Sequence, residues 1–523
     1  MGSLLRVTLL ALVCVACSVA TARATDPYAG FGDPVAVGPS AAAPVRAAAP
    51  LPGGAAALLA GAPTVGALDT RTPNRIHWLG AAWDAALVTW PDGGTMAAWT
   101  GADGLHLARA AADGTWGTAH AAGGGLPSQA VAAVARPGGD AVVAWTDHAA
   151  ADAPGEDRAH AVLVAADGTP GPVQDLGAAT TIIGVPALAE GADGTVALAD
   201  PEPTGAGGHP GALSVSLLAP GAAAFGASQS LDGLGGGPPA VAVTPDGTTL
   251  ATGGGGRVVR LAPDGHVVSD LPLSRAGYAA GLGVAPGGTT AVLSSNGAAW
   301  DWSALASDGS PLPAGPPASA LEVAGVPEVH VWDDGSATAF IRTTVGDSDE
   351  GYAAFVARNA AGATSSTTLA LGPAVAGFPG AAPGSFTAFA ADRGRLWRVT
   401  RPGAPARRPA TLTLARGLLR PGERTASFHL AADEAGSATV HVRVRHGGGR
   451  WRTISPVGGD AVALLPLNGA TVRLPLPGSG SPCTGGRGWT VAVAARFRNR
   501  AGVPAAARLT YASGCSRVRR TAR

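Results

Sequence analysis

A unit of about 40 to 55 residues recurs along most of this chain, and this repeat constrains the fold more than any other feature. Each copy has an apolar strand, a turn at Pro or Asp followed by Gly-Gly, a second apolar strand, and a third strand that often ends in Asp-Gly. One clear copy spans residues 85–114, with its first turn at 91–94. The same first turn recurs around Gly54, Gly139, Gly194, Gly247, Gly288, Gly335 and Gly384.

The turns indicate what the repeat folds into. Asp-Gly and Gly-Gly favour tight hairpins because their central residues adopt positive φ. Glycine and proline supply 78 and 43 of the 523 residues, and the apolar residues show no 3.6-residue period, so a helical repeat is excluded. Each unit therefore predicts a four-stranded antiparallel sheet. Such sheets at this period are typical of the blades of a β-propeller.

Over about residues 30–405 the pattern resembles that of secreted bacterial β-propeller repeat proteins. The resemblance is architectural, because neither the recurring Trp-Asp of WD40 blades nor a kelch signature is present. It predicts an all-β fold with a seven- or eight-bladed β-propeller, eight being favoured, followed by a β-sandwich. The segment 32–38 resembles 171–177, a fourth strand, and the last repeat lacks one. We therefore expect the N-terminal strand near 32–38 to close the ring and remove an exposed sheet edge.

The N-terminus has the features of an export signal. Arg6 precedes an apolar run at 7–20, and small residues at 22–24 favour cleavage after Ala24. Lipidation at Cys17 is the lesser alternative, and no later stretch is long enough to span a membrane. The predicted organisation is a signal peptide at 1–24, a propeller at 25–405 and a basic domain at 406–523, in a protein that is secreted, extracellular or cell-surface associated.

The last 118 residues contain short alternating strands instead of the repeat. They resemble an immunoglobulin-like or fibronectin-like sandwich in architecture only. After removal of the signal peptide, Cys483 and Cys515 are the only cysteines, and in an oxidising compartment they are expected to form a disulfide bond. Two cysteines are too few for a metal site of their own.

The near-zero net charge hides two oppositely charged regions. Residues 25–405 hold 15 arginines against 32 acidic residues, whereas residues 406–523 hold 19 arginines against four. Strand alternation places Arg443 and Arg445 on one face of their strand, and Arg496, Arg498 and Arg500 on one face of theirs. These five arginines are candidates for binding an anionic surface. Docking against the acidic propeller and simple solvation are the alternatives.

Three long, acidic loops between second and third strands are the candidate ligand site, because long loops on a rigid scaffold often carry function. Their residues can bind Ca²⁺, a cationic ligand or a polyhydroxylated ligand, although solvated surface insertions are the favoured interpretation. The candidate residues are Asp147, His148, Asp152, Glu156, Asp157, Asp200, Glu202, Asp347, Asp349 and Glu350.

No catalytic residue, metal site or cofactor is predicted. The mature chain has no Gly-x-Ser-x-Gly, His-Glu-x-x-His or Cys-x-x-Cys motif. We therefore interpret it as a monomeric, secreted, non-enzymatic surface or interaction protein with the propeller loops as ligand platform. The alternative is an extracellular carbohydrate-active enzyme with its site at the mouth of the channel. The expected partners are an anionic cell-envelope polymer or a carbohydrate, and not a nucleic acid.

Overall fold

The structure is a computed structural model. The residues that it describes are 31–32, 34–39, 45–52, 54–61, 64–71, 76–124, 128–147, 157–179, 186–202, 211–235, 237–254, 256–273, 279–295, 299–315, 317–319, 327–344, 351–369, 375–392, 395–402, 411–416, 425–432, 436–457, 459–464, 470–476 and 489–512. They form two compact units, one from Phe31 to Pro405 and one that begins at Ala406. The predicted signal peptide and both mature cysteines, Cys483 and Cys515, lie outside the described residues. The described residues contain no helix with the length and hydropathy of a membrane span.

The described part of the first unit consists of eight four-stranded antiparallel sheets, here labelled I to VIII. The first strand of the chain, β1 (Val35–Pro39), belongs to the last sheet. Sheet I contains β2 (Val45–Leu51), β3 (Gly54–Gly61), β4 (Thr64–Asp69) and β5 (Ile76–Gly80). Sheet II contains β6 (Asp84–Thr89), β7 (Thr95–Gly101), β8 (Gly104–Ala110) and β9 (His120–Gly124). Sheet III contains β10 (Ser128–Ala135), β11 (Ala141–Asp147), β12 (Arg158–Val164) and β13 (Gln174–Ala178).

The remaining sheets of the unit follow the same order. Sheet IV contains β14 (Ala187–Glu190), β15 (Val196–Pro201), β16 (Ala212–Leu218) and β17 (Gln229–Asp232). Sheet V contains β18 (Ala240–Val243), β19 (Thr249–Thr252), β20 (Arg257–Leu261) and β21 (Val267–Pro272). Sheet VI contains β22 (Ala279–Val284), β23 (Thr290–Ser295), β24 (Ala299–Leu305) and β25 (Ala318–Ser319). Sheet VII contains β26 (Glu328–Val331), β27 (Ala337–Thr344), β28 (Gly351–Arg358) and β29 (Thr364–Leu369), and sheet VIII contains β30 (Val375–Pro379), β31 (Phe386–Asp392), β32 (Arg395–Arg401) and β1.

The repeated glycines make the hairpins between first and second strands. In sheet III, Gly139 has a φ of 86° between β10 and β11, where the Arg136 amide donates to the Asp140 carbonyl. A residue with a Cβ is strained at this φ, so glycine allows the tight turn. The other predicted first turns that carry a positive-φ glycine are at Gly194, Gly247, Gly288, Gly335 and Gly384.

The eight sheets form a closed ring. The first strand of each sheet packs against the first strand of the next from sheet I to sheet VII, β27 packs against β30, and β30 packs against β2. In sheet VIII, β1 pairs with β32, so the first and last strands of the unit lie side by side. This arrangement confirms the predicted all-β class and the β-propeller architecture of the repeats.

Second strands lie between two neighbouring sheets and are buried on both faces, as in β7 and β11. Their small residues let the sheets approach closely, and a few large side chains fill the rest of each interface. Trp145 and Val143 belong to the core between sheets II and III, whereas Val142 and Ala144 on the opposite face of β11 belong to the core between sheets III and IV. Alternation along one strand therefore supplies two different cores.

The second unit contains two antiparallel sheets in its described part. The smaller contains β33 (Leu412–Arg416), β34 (Thr425–Ala432) and β38 (Ala470–Pro475). The larger contains β35 (Gly436–His446), β36 (Arg452–Ile454), β37 (Ala461–Leu464), β39 (Trp489–Asn499) and β40 (Pro504–Ala512). Phe428 from the smaller sheet and Val442 and Phe497 from the larger one meet in a single core. The Tyr511 hydroxyl donates to the Ser427 carbonyl at 2.7 Å and links the two sheets.

The packing between sheets II and III makes a stability prediction. A Cβ added at Gly123 in β9 would lie 2.6 Å from Cζ2 of the buried Trp145, so the indole or the strand must move. We expect Gly123→Ala to destabilise the unit by about 1–3 kcal/mol, as overpacking of a filled core does. Thermal and denaturant unfolding of residues 25–523 measures this change.

Gly117→Ala is the matched control, because its Cβ would meet only the Arg109 carbonyl oxygen, at the ordinary distance of 3.4 Å. Equal stability of the two variants would contradict the proposed close packing of Trp145 against β9.

Candidate functional site

Four of the predicted acidic loop residues lie at one end of sheets III and IV. Asp147 ends β11, Asp157 directly precedes β12, and Asp200 and Glu202 lie at the end of β15. The others, His148, Asp152, Glu156, Asp347, Asp349 and Glu350, lie outside the described residues. Of these four, Asp157 and Asp200 lie close enough for the charge of Asp157 to act on Asp200 across the interface between sheets III and IV.

Asp200 occupies a position that is filled by tryptophan in the two preceding sheets. In sheets II, III and IV, the fifth residue after the residue that closes the first turn is Trp99, Trp145 and Asp200, respectively. All three side chains are buried, with exposed fractions of 2%, 1% and 3%. Because Trp99 and Trp145 face the preceding sheet, the repeat places Asp200 against sheet III.

The partner of this position on the preceding sheet is a glycine next to a β-bulge. Gly80, Gly123 and Gly177 hold equivalent places in the outer strands of sheets I, II and III. The Trp99 indole lies 3.3 Å from where a Cβ on Gly80 would be, and the Trp145 indole 2.6 Å from that of Gly123. Gly177 differs from both in having a φ of 107°, so a Cβ on it would point in another direction, and no atom of the described residues lies within 4 Å of that Cβ. An aspartate side chain is smaller than an indole, so Asp200 does not by itself fill the volume that Trp145 fills at the preceding interface.

We call the equivalent region between sheets III and IV the Asp200 slot and define it by Asp200, Asp157 and Gly177. Asp157 is itself buried, with an exposed fraction of 6%, and its carbonyl accepts from the Ala179 amide at the same end of sheet III. Among the described residues, Asp200 Oδ1 has no hydrogen-bond partner although it is fully shielded from solvent. A buried carboxyl oxygen without a partner is energetically costly, and a ligand that donates a hydrogen bond would relieve that cost.

Burial also changes the acidity of the site. Loss of hydration and, to a lesser extent, the nearby Asp157 carboxylate together raise the pKa of Asp200 from 3.8 to about 7. At neutral pH the Asp200 carboxyl is therefore shared between its neutral and its charged form. The neutral form donates one hydrogen bond and accepts others, which matches a hydroxyl group. It can also act as a general acid, because its pKa lies close to neutral pH.

An aromatic and polar cluster lies on the other face of sheet III, toward sheet II. His160 Nε2 is 3.1 Å from Asp147 Oδ2, the Trp145 indole donates to Asp147 Oδ1 at 3.0 Å, and the Trp145 and His160 rings are stacked at 5.3 Å. Sheet II has the corresponding stacked pair, Trp99 and His106. This cluster fixes Asp147 as part of the sheet, so the sequence assignment of Asp147 to a free loop missed its role in the packing.

A second carboxyl with raised pKa lies at the opposite end of sheet IV. Partial burial raises the pKa of Glu190 to about 7; Arg136 opposes this shift, and Asp140 and Asp193 add to it. Glu190 is the last residue of β14, directly before the first turn of sheet IV, and this turn lies at the end of the sheet remote from Asp200. Within the described residues, no group of three or more His, Cys, Asp or Glu side chains is arranged to hold a metal ion.

The arginines predicted to bind an anionic surface lie in the second unit. Arg443, Arg445, Arg496 and Arg498 project from the same face of the larger sheet, because β35 and β39 are hydrogen-bonded neighbours. Arg500 follows the end of β39 in the turn to β40. The two arginine pairs, which the sequence assigned to separate strands, therefore form one surface.

Known structures resemble the chain only weakly. No family model matches it, and no curated protein matches it. Virginiamycin B lyase from Staphylococcus aureus is 10% identical with a TM-score of 0.36, covering 58% of this chain and 94% of that one. An α-L-arabinanase from Penicillium chrysogenum, complexed with arabinobiose, is 15% identical with a TM-score of 0.31, covering 50% and 93%. A polysaccharide lyase, an ulvan lyase, is 11% identical with a TM-score of 0.34, covering 66% and 88%.

The raised pKa of Asp200 predicts a pH-dependent stability. The folded protein retains a proton at Asp200 up to a pH of about 7, whereas the unfolded chain releases it near 3.8. Stability from this group is therefore fully present below pH 3.8 and is lost as pH rises toward 7. Relative to Asp200→Asn, which cannot ionise, the wild-type free energy of unfolding should fall by roughly 2–4 kcal/mol between pH 4 and 7.

Glu190 titrates over the same range, so both proteins in this comparison should carry Glu190→Gln. Urea unfolding at each pH gives the two free energies. Parallel pH profiles for the two proteins would show that Asp200 ionises normally in the folded state.

Proposed function

We propose that the first unit is an eight-bladed propeller, closed by β1, that binds a polyhydroxylated ligand of the saccharide class in the Asp200 slot. The observation that carries this proposal is the buried, unpartnered Asp200 carboxyl, which stands where sheets II and III have an indole. The blade count is supported by the eight four-stranded sheets of the described residues and by the pairing of β1 with β32. The predicted signal peptide supports an extracellular location for the ligand.

The chemistry of the slot favours hydroxyl groups over a cation. A carboxyl that is half-protonated at neutral pH offers a donor and an acceptor together, as a sugar hydroxyl does. A ligand ring would take the position that the Trp99 and Trp145 indoles hold in the two preceding interfaces. A few fixed polar groups orient the ligand in most small-molecule pockets, and Asp200 would be such a group here.

An acid–base enzyme acting on the same ligand is the second candidate. Two neighbouring carboxyls, one with a pKa of about 7, are what general acid catalysis of glycoside cleavage requires. In this case Asp200 would protonate the leaving oxygen and Asp157 would act as the partner carboxylate. The binding protein remains the primary proposal, because Asp200 is 3% exposed and the described residues contribute no further catalytic group to the slot.

For the second unit we propose an immunoglobulin-like β-sandwich. Support comes from the two antiparallel sheets, whose inward faces share one core of Phe428, Val442, Val493 and Phe497. Along β35 and β39, residues that point outward alternate with residues that point into this core. The predicted disulfide between the two cysteines remains a proposal of the same kind.

The ligand proposal predicts that the slot can be closed by restoring the repeat. Asp200→Trp would place an indole against Gly177, as Trp145 does against Gly123, and should abolish saccharide binding while the protein stays folded. Asp200→Ala should weaken binding about 10- to 100-fold, because the buried carboxyl and its hydrogen bonds to the ligand are removed. Glycan-array screening of residues 25–523 followed by calorimetry on the best ligand measures both effects.

Asp167→Asn is the control, since Asp167 is exposed in a turn at the other end of sheet III. Saccharide binding that survives Asp200→Trp would place the site elsewhere. Asp200-dependent binding of organic cations instead of sugars would contradict the ligand class. Cleavage of the bound saccharide that Asp200→Asn abolishes would favour the enzyme.

A further inference from the structure

The outward face of the larger sheet in the second unit carries basic side chains among small and uncharged ones. Its exposed or half-exposed residues include five arginines and one histidine, which we call the basic face: Arg443, Arg445, Arg496, Arg498, Arg508 and His441. The opposite face of the same strands is buried in the core. The face is therefore a built feature of the sheet and not a set of unrelated surface charges.

The register arranges these side chains as a stripe. Arg445 and Arg443 lie toward one end of β35, and Arg496 and Arg498 pair with the residues toward its other end. Arg508 of β40 pairs with Ala494, which in turn pairs with His441 in the middle. Eight residues separate the two ends of the stripe along the strand, which is roughly 27 Å at about 3.4 Å per residue. Neighbouring arginines on one strand recur at about 7 Å.

Acidic residues do not neutralise the stripe within the described residues of this unit. Asp460 is the acidic residue described there, and it lies beside Val440, with its carbonyl accepting from the Val440 amide. Val440 faces the core, so Asp460 beside it lies on the side of the sheet away from the basic face. The like charges of the basic face are therefore held close together without a carboxylate between them.

Two further features suit an elongated ligand. At one end of the stripe, a depression of about 540 Å³ is lined by Thr439, His441, Arg496 and Arg498, among other residues. At the other end, the Arg443 and Arg445 guanidinium carbons lie 5.3 and 4.8 Å from the centre of the Trp451 ring. Stacking on an indole fixes guanidinium groups in position, which lowers the entropy cost when they bind an anion.

We infer that the basic face binds a linear phosphate-bearing polymer, laid along the strands, whose anionic groups recur at about 7 Å. The length of the stripe excludes a single small anion as the natural occupant, since it would engage only one end. Arginine forks match phosphate oxygens, and the charge of the polymer complements the uncompensated stripe. This binding is independent of the Asp200 slot and would hold the protein on an anionic envelope surface.

The test uses the whole chain from residue 25 and synthetic poly(glycerol phosphate). We expect the double variant Arg496→Gln/Arg498→Gln to bind the polymer about tenfold more weakly than the wild type does. Raising the salt from 50 to 300 mM should also weaken binding by the wild type. Glycerol 3-phosphate alone should bind too weakly to compete. Fluorescence anisotropy of the labelled polymer reports all three effects.

Arg473→Gln/Arg395→Gln is the matched control, because it removes the same charge from exposed positions away from the basic face. Equal loss in both double variants would show a general charge effect and overturn the inference. Absence of polymer binding by the wild type would also overturn it, as would binding only to anionic phospholipid vesicles. Binding by Asp200→Trp should match that of the wild type, which separates this surface from the propeller site.

Discussion

Every interface between neighbouring sheets in the ring has to be filled, and this requirement governs the structure of the first unit. The second strands are rich in small residues and buried on both faces, so they bring the sheets close together but supply little volume at their ends. Trp99 and Trp145 fill that volume in two successive interfaces by packing on glycines of the preceding sheet. Asp200 holds the equivalent position between sheets III and IV, and its side chain fills less volume than an indole. The proposed slot and the buried carboxyl therefore both come from having aspartate at this position of the repeat.

Features that depend on local sequence signals could be predicted, whereas features that depend on contacts between sheets could not. Hairpin glycines and alternating strands are local signals, so the sheets and the propeller architecture followed from the repeat. The alignment of Asp200 with Trp99 and Trp145 was also readable, because all three follow their turns at the same distance. The raised pKa of Asp200 could not be read from the sequence, because it depends on burial and on Asp157 from a different sheet. Likewise, strand alternation placed each arginine pair, but only the pairing of β35 with β39 joined the pairs into one surface.

The two units divide the charge of the chain between them, and their proposed ligands differ accordingly. The acidic unit offers one buried carboxyl that recognises a neutral, hydroxyl-rich group, an interaction that depends on shape and hydrogen bonds. The basic unit offers a stripe of exposed arginines, an interaction that depends on charge and salt. A protein that holds an envelope polymer with one unit and a saccharide with the other would gain affinity from both contacts wherever the two ligands occur together.

The decisive question is whether a ligand occupies the Asp200 slot between sheets III and IV. A crystal structure of residues 25–523 grown with the saccharide selected by array screening answers it. We expect a sugar ring beside Gly177 with a hydroxyl in hydrogen-bond contact with Asp200. A structure in which sheets III and IV pack as tightly there as sheets II and III, with the sugar bound at another site, would contradict this expectation.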